Sequence, residues 1–255
     1  MIEARDLTVA FGGTVVARVP ELEIRPGTIV GLAGESGSGK SMTALALLGL
    51  TRHLGATVTG SVKLDGEELT VLSERRLRHI RGRRVALVLQ SPRAALNPTL
   101  RLRAFARRTL ALHGVPRREA DARLRSVADS VLLAPDVLER FPHQVSGGEA
   151  QRFAIALALA LGAEYVLADE PTSALDVTVQ AEVIALLRRV RDEHGVGMLL
   201  ISHDLAVIDN LAERTIVMRV GDVVESGDTK TVLGSPSDPY TRELLAAVPT
   251  IVEKP

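Results

Sequence analysis

Thr28-Ile29-Val30-Gly31-Leu32-Ala33 runs straight into Gly34-Glu35-Ser36-Gly37-Ser38-Gly39-Lys40-Ser41, and that junction decides how the rest of the chain is read. The first six residues are largely apolar and do not alternate, the pattern of a short strand covered on both faces. The next eight satisfy G-x-x-x-x-G-K-[ST] at every fixed position. Met42–Leu50 then reads as a helix. Strand, glycine-rich loop and helix in that order make a cradle for phosphate. The glycines allow positive φ and let backbone N–H groups approach phosphate oxygens closely. The helix turns the positive end of its dipole toward them. Lys40 can reach the outer two phosphates of a nucleoside triphosphate, and the Ser41 hydroxyl can bind Mg²⁺. A Gly/Ser turn with an incidental lysine would need neither the buried strand before it nor the helix after it.

Working outward, Ile2–Val9 and Thr14–Ile24 are strand-like and broken by Gly12-Gly13, and Pro26-Gly27 turns the chain into the buried strand. Val58–Leu64 has the look of an edge strand with Asp65-Gly66 as its hairpin turn, and Val85–Leu89 is another apolar, β-branched strand. From Ser91 to Val145 the character changes to helical runs at Leu102–His113 and Arg117–Leu132, closed by Gly114, Pro116, Pro135 and Pro142. Alternation then resumes with helix Glu149–Leu161, strand Tyr165–Ala168, helix Val177–Glu193 and strand Met198–Ile201. Such alternation predicts an α/β fold, a mostly parallel sheet with helices on both faces. Strands Thr215–Val220 and Val223–Ser226 around Gly221-Asp222, then a helix near Tyr240–Ala247, complete the reading.

Composition narrows the function classes. The 255 residues contain 46% hydrophobic but only 2% aromatic residues, which suits a core of Ala, Leu and Val in one large domain with an inserted lobe. With no cysteine there is no disulfide scaffold, thiolate metal site or iron–sulfur cluster. The 31 basic and 31 acidic residues cancel, which argues against a nucleic-acid partner. Met1–Phe11 has acidic residues early and no long apolar run, so no secretory leader is expected. The most apolar stretch, Phe153–Ala163, is about half the roughly 20 residues needed to span a bilayer. Arg75, Arg76, Arg78, Arg81, Arg83 and Arg84 form a basic run, read first as a solvated helix and loop face.

Two more motifs carry chemistry. Tyr165-Val166-Leu167-Ala168-Asp169-Glu170 ends an apolar strand in two carboxylates, and ligands of open α/β sheets sit at such carboxyl ends. Asp169 is placed to hold Mg²⁺ through water, and Glu170 to polarise an attacking water as general base. Val145-Ser146-Gly147-Gly148-Glu149-Ala150-Gln151-Arg152 places a capping serine and two glycines before an apolar helix, a second anion-binding helix N-terminus. Taken alone, either would pass as a solvated turn or an ordinary capped helix.

Together, and in this order along the chain, these motifs resemble the ATP-binding cassette (ABC) transporter ATPases. Ser146-Gly147-Gly148-Glu149 is similar to that family's L-S-G-G-Q signature, which implies a grip on the γ-phosphate bound at the P-loop of an opposing subunit. The resemblance implies further roles. Gln90, at a strand end before Ser91-Pro92, would be the Q-loop glutamine, a ligand of Mg²⁺ and water that links to the helical lobe. Ser173-Ala174-Leu175-Asp176 would be the D-loop, His203 the switch histidine that contacts the γ-phosphate and orients Glu170, and Phe11 the aromatic stacked on adenine. ATP would be bound by Phe11, Gly34–Met42, Gln90, Asp169 and His203, Mg²⁺ by Ser41, Gln90 and Asp169, and catalysis carried by Lys40, Gln90, Glu170 and His203. The implied fold is a P-loop NTPase of the RecA-like kind with N-terminal antiparallel strands. Residues 1–90 and 146–235 form its nucleotide-binding core, 91–145 an inserted helical subdomain and 236–255 a C-terminal tail helix.

Gln90–Pro98, Phe141-Pro142-His143-Gln144, Asp176–Gln180 and Ser235–Leu245 look like the oligopeptide, dipeptide and nickel importers. Many peptide-importing members carry a longer tail with a cysteine cluster, so the short, cysteine-free chain looks more like the nickel or metal-chelate branch. The implied partners are a second cassette subunit, two membrane permeases and an extracytoplasmic binding protein, with the chain peripheral at the cytoplasmic face of the inner membrane. The rival readings are a non-transport cassette ATPase, which usually has two cassettes or a coiled coil, an exporter cassette, and a P-loop kinase or GTPase, where Ser146-Gly147-Gly148 and His203 have no role.

Overall fold

Strand β3 (Ile29–Ala33) is buried at all five positions, so both of its faces need a cover. Ile29 and Ala33 join one apolar group, Val30 and Leu32 the other, and the sheet is built around that division. The computed structural model describes residues 1–173 and 175–247. Upstream lie β1 (Ile2–Phe11) and β2 (Thr14–Ile24), and after β3 come α1 (Lys40–Leu47), β4 (Thr57–Leu64), β5 (Glu67–Glu68), α2 (Glu74–Ile80) and β6 (Val85–Val88). The helical segment contains α3 (Pro92–Ala95), α4 (Leu102–Leu112) and α5 (Arg117–Ala128), with 3₁₀ turns at Pro135–Glu139 and Pro142–Gln144. There follow α6 (Gly147–Leu161), β7 (Tyr165–Asp169), α7 (Val177–His194), β8 (Gly197–Ser202), α8 (Leu205–Leu211), β9 (Arg214–Arg219), β10 (Asp222–Asp228), α9 (Thr229–Gly234) and α10 (Pro239–Ala246).

The ten strands form one sheet in the order β5-β4-β1-β2-β10-β9-β3-β8-β7-β6. From β9 to β6 every neighbour is parallel, whereas β1, β2, β4 and β5 pair antiparallel. The two parts meet at a narrow seam where β10 pairs with β2 only at Asp222 and Arg18. On one face α1 packs Ala44 and Leu47 against Leu32, Leu167, Leu199 and the antiparallel strands. The other face buries α6, α7 and α8 together with α4 and α5 in one continuous apolar group. The helical segment is thereby fastened to the sheet by shared core.

Registers align the strand ends that matter. Ala33 lies opposite Ser202, Asp169 opposite Ile201 and Val88 opposite Ala168. The loops leaving β3, β6, β7 and β8 therefore emerge side by side at the carboxyl edge of the sheet.

Several local expectations shift. The helix expected to run to Leu132 stops at Ala128, and Leu132 takes φ 52 while Leu133 N–H bonds back to the Ala128 carbonyl at 3.0 Å. The β9–β10 turn centres on Val220-Gly221, φ 46 and 89, one residue earlier than the expected Gly221-Asp222. Tertiary bonds fix it there: Gly221 N–H donates to the Ser38 carbonyl at 3.1 Å, and its own carbonyl accepts from Arg18 N–H at 2.6 Å. The basic run is mostly neutralised locally: Arg76 pairs with Glu67, Arg78 and Arg81 with Glu74, and Arg84 with Glu164.

The two-residue β5 is held by a carboxylate. Glu68 accepts from the backbone N–H groups of Val62 at 3.0 Å and Thr70 at 3.1 Å and from both hydroxyls of Ser61 and Thr70. Burial raises its pKa, but those donors outweigh it and hold Glu68 at about 2 instead of 4.5. A depressed carboxylate contributes stability in full above its unfolded value and loses it as pH falls through the folded one. Thermal melts between pH 4.5 and 2 should therefore show a decline in Tm that Glu68→Gln reduces. A mutant whose pH profile parallels the wild type would contradict this.

Candidate active site

Gly34 takes φ 142, and a Cβ there would stand 2.2 Å from the Met218 carbonyl oxygen. Gly39 takes φ 103 at the N-cap of α1, where a Cβ would meet the Val16 carbonyl oxygen at 2.5 Å. Only glycine satisfies both the dihedral and the space at these positions. Lys40, 5% exposed, bends back to donate to the carbonyls of Gly34 and Glu35, both at 2.7 Å. Burial pulls its ammonium below the ordinary value, against the raising pull of Glu170, Asp169 and Glu35.

The carboxylates follow from β7. Glu170 sits in the left-handed region at φ 47, a conformation that costs a non-glycine residue about 1 kcal/mol and gathers at functional sites. Its N–H donates to the Ile201 carbonyl at 2.9 Å, fixing the turn against β8. One carboxylate oxygen lies 3.1 Å from His203 Nδ1, and the other accepts from Gln90 Nε2 at 3.0 Å. Gln90 Nε2 also reaches Ser173 Oγ at 3.1 Å. Three strand-end loops thus converge on one carboxylate. Asp204 steadies the His203 turn: it caps α8 through Ala206 N–H and accepts from Gln180 Nε2, both at 2.9 Å.

These groups line a cavity of about 1000 Å³ bounded by Gly34–Gly37, Gly39–Met42, Gln90, Asp169, Glu170 and His203. Its charges suit a polyphosphate only with a cation present, because Lys40 faces Glu35, Asp169 and Glu170. Asp169 fits that need. Its Oδ1 is buried without a partner, and burial pushes its carboxyl up, against a hydrogen bond from Ser41 and the Lys40 charge. Among the described residues no cluster of three His, Asp or Glu could hold a metal alone. A hydroxyl, one carboxylate, waters and phosphate oxygens are the donor set Mg²⁺ prefers.

Not every expected residue joins the cavity. Phe11 closes β1 half-buried against the antiparallel core and is not in the lining, where Val16 stands instead. Ser146–Glu149 also lie elsewhere. Ser146 caps α6, its Oγ accepting from Glu149 N–H at 3.1 Å while its own N–H donates to the Glu149 carboxylate at 2.8 Å. A Cβ on Gly148 would stand 2.7 Å from Val179 Cγ1, and one on Gly147 3.0 Å from Leu175 Cδ2. The glycines let the N-terminus of α6 close onto the start of α7, below Asp176, which caps α7 through Val179 N–H at 3.0 Å. Ala174 of the expected D-loop lies outside the described residues, as does the tail beyond Ala247. Sequence reasoning missed Val16, Asp204, Leu244 and Ala247 in the lining. The Tyr240, Leu244, Ala247 spacing marks a helix face, but nothing in it indicates which surface that face meets.

The sequence pattern described as ABC transporter matches residues 18–173. A Brucella melitensis biotype 1 protein named for peptide import and ATP binding is 43% identical over 98% of this chain and 78% of its own length. The oligopeptide transport ATP-binding protein OppD of Lactococcus lactis subsp. cremoris is 36% identical over 98% of this chain and 76% of its own. Among solved structures, the dimeric ATP-binding cassette MJ0796 with ADP and Pi is 28% identical. It superposes with a TM-score of 0.73 over 90% of this chain and 99% of that one. The chain belongs to the ABC transporter family, as an ATP-binding and ATP-hydrolysing subunit.

Proposed function

We propose that the chain energises peptide uptake through separate membrane permeases, and that the convergence of Gln90, Glu170 and His203 beside the P-loop is its hydrolytic centre. That convergence carries the reading. Glu170 acts as general base, held by His203 and Gln90 so that one carboxylate oxygen faces the water attacking the γ-phosphate. Gln90 reports occupancy, because it hydrogen-bonds both Glu170 and Ser173 and opens the helical segment in the chain. Lys40 leaves the Gly34 and Glu35 carbonyls for the β- and γ-phosphates. Mg²⁺ would be held by Ser41, Gln90 and Asp169, and supplies neutralisation of phosphate charge when bound.

Separation of Ser146–Glu149 from the cavity supports a clamp in which two cassettes sandwich ATP, each P-loop facing the partner's signature helix. Residues 1–90 and 146–235 would form the core of each jaw and 91–145 its moving lobe. A second cavity of about 670 Å³ between β6, α4 and α6 has exposed Leu89 and Leu112 at its rim, beside Gln90. It supports docking of a permease segment, through which closure would drive the membrane subunits. The partner cassette, an extracytoplasmic binding protein and a station at the cytoplasmic face of the inner membrane complete the assembly. No described helix is long and apolar enough to cross a membrane.

The peptide class is supported by the names of relatives that align over nearly the full chain. The test is ATP hydrolysis by the complex reconstituted with its permeases and binding protein, against peptides and against nickel or metal chelates. Stimulation by peptides is expected. Stimulation by metal chelates alone would replace the cargo class, and no stimulation by either would sink the importer reading.

A further inference from the structure

The C-terminal helix reaches the P-loop. Tyr240, 4% exposed, accepts a hydrogen bond on its hydroxyl oxygen from Glu35 N–H at 3.3 Å. Its ring lies under the Arg219 guanidinium, whose carbon is 4.7 Å from the ring centroid. Arg219 ends β9, the strand beside β3, so the phenol bridges two strand ends. The helix is pinned at its start: Glu225 of β10 accepts from Ser237 N–H at 2.7 Å and Asp238 N–H at 3.2 Å, and Asp238 accepts from Tyr240 N–H at 2.8 Å. One turn and two turns further on, Leu244 and Ala247 line the nucleotide cavity.

The helix approaches from a definite side. Leu244 packs into the apolar group that holds Leu205 and Ile208 of α8, the helix that follows His203. Phe11, Val16 and Met42 belong to the group on the opposite face of the sheet. Leu244 and Ala247 share the cavity lining with Glu170 and His203. The first residues of the P-loop are therefore held twice, by Lys40 through the Gly34 and Glu35 carbonyls and by Tyr240 through the Glu35 N–H.

We propose that α10 is a working part of the ATP site, with Tyr240 as a positioning residue for the P-loop and Leu244 as the wall beside the γ-phosphate. The inference rests on the nucleotide reading of the cavity. It gives the C-terminal segment, which sequence alone marks only as a tail, a role in telling ATP from ADP.

The test is displacement of a fluorescent ATP analogue from the full chain by Mg-ATP and by Mg-ADP, with Tm measured on the same samples. Tyr240→Phe removes one oxygen and keeps the ring, so it should weaken ATP binding about three- to tenfold with Tm unchanged within about 2 °C. Leu244→Asp should weaken ATP at least about threefold more than ADP, because the added charge faces the γ-phosphate, while Leu244→Asn affects both alike. Unchanged affinity in Tyr240→Phe, or a loss accompanied by a Tm fall above about 4 °C, overturns the positioning role. Equal loss of ATP and ADP in Leu244→Asp overturns the wall. Lys40→Ala separates the two levels. If it weakens binding while the α10 variants do not, only this inference fails, and if it binds as wild type, the nucleotide reading fails with it.

Discussion

Replacing Glu170 by Gln should leave Mg-ATP binding within about twofold of wild type and lower turnover by at least about 10²-fold. The amide keeps the shape of the side chain and its contact with His203, but it accepts no proton from water. The backbone cost of holding residue 170 at φ 47 is unchanged, because neither side chain relieves it. Loss of affinity would instead mean that the carboxylate serves mainly to balance charge near Lys40. Near-wild-type hydrolysis would remove Glu170 as the base. Steady-state ATPase activity beside equilibrium nucleotide binding distinguishes all three.

Gly148→Val should produce the same split by a different route. Even a methyl at this position would stand 2.7 Å from Val179 Cγ1, so the larger valine is expected to push the N-terminus of α6 off the start of α7. Overpacking of this kind costs about 1–3 kcal/mol in stability. The larger effect falls on turnover, expected to drop about 10²-fold, because the displaced helix end is the anion site proposed to close on the partner's nucleotide. Binding at the chain's own P-loop should stay within about twofold of wild type, since none of Ser146–Glu149 lines that cavity. Equal loss of binding and turnover would show that the signature acts within its own chain.

Much of this was legible in the sequence, because the informative residues are constrained locally. Gly34 and Gly39 need dihedrals and space that only glycine has, and Ser146 with Glu149 forms a capping box visible as a four-residue pattern. β3 is a short apolar run, and β7 and β8 carry a polar residue only at or near their ends, which marks them as inner strands of a parallel sheet. What escaped depends on tertiary contacts. The β9–β10 turn is placed by bonds to Ser38 and Arg18, so Val220 accepts φ 46 while 83% exposed, against its own preference. Helices α8 and α9 have seven and six residues, too few for a period of 3.6 to stand out. Phe11 packs on the antiparallel core, and nothing in the local sequence indicates that Val16 stands in the lining. Tyr240 gave no warning, because its partner is a backbone N–H more than two hundred residues away.

The most direct test of the central claim, that each ATP is completed by two cassettes, is the structure of the assembled transporter carrying Glu170→Gln with Mg-ATP. The account predicts ATP between Gly34–Ser41 of one cassette and the signature serine and glycines of its partner, with Gln90 and His203 at the γ-phosphate. ATP held by the P-loop alone, with Ser146-Gly147-Gly148 open to solvent in a fully occupied complex, would contradict it.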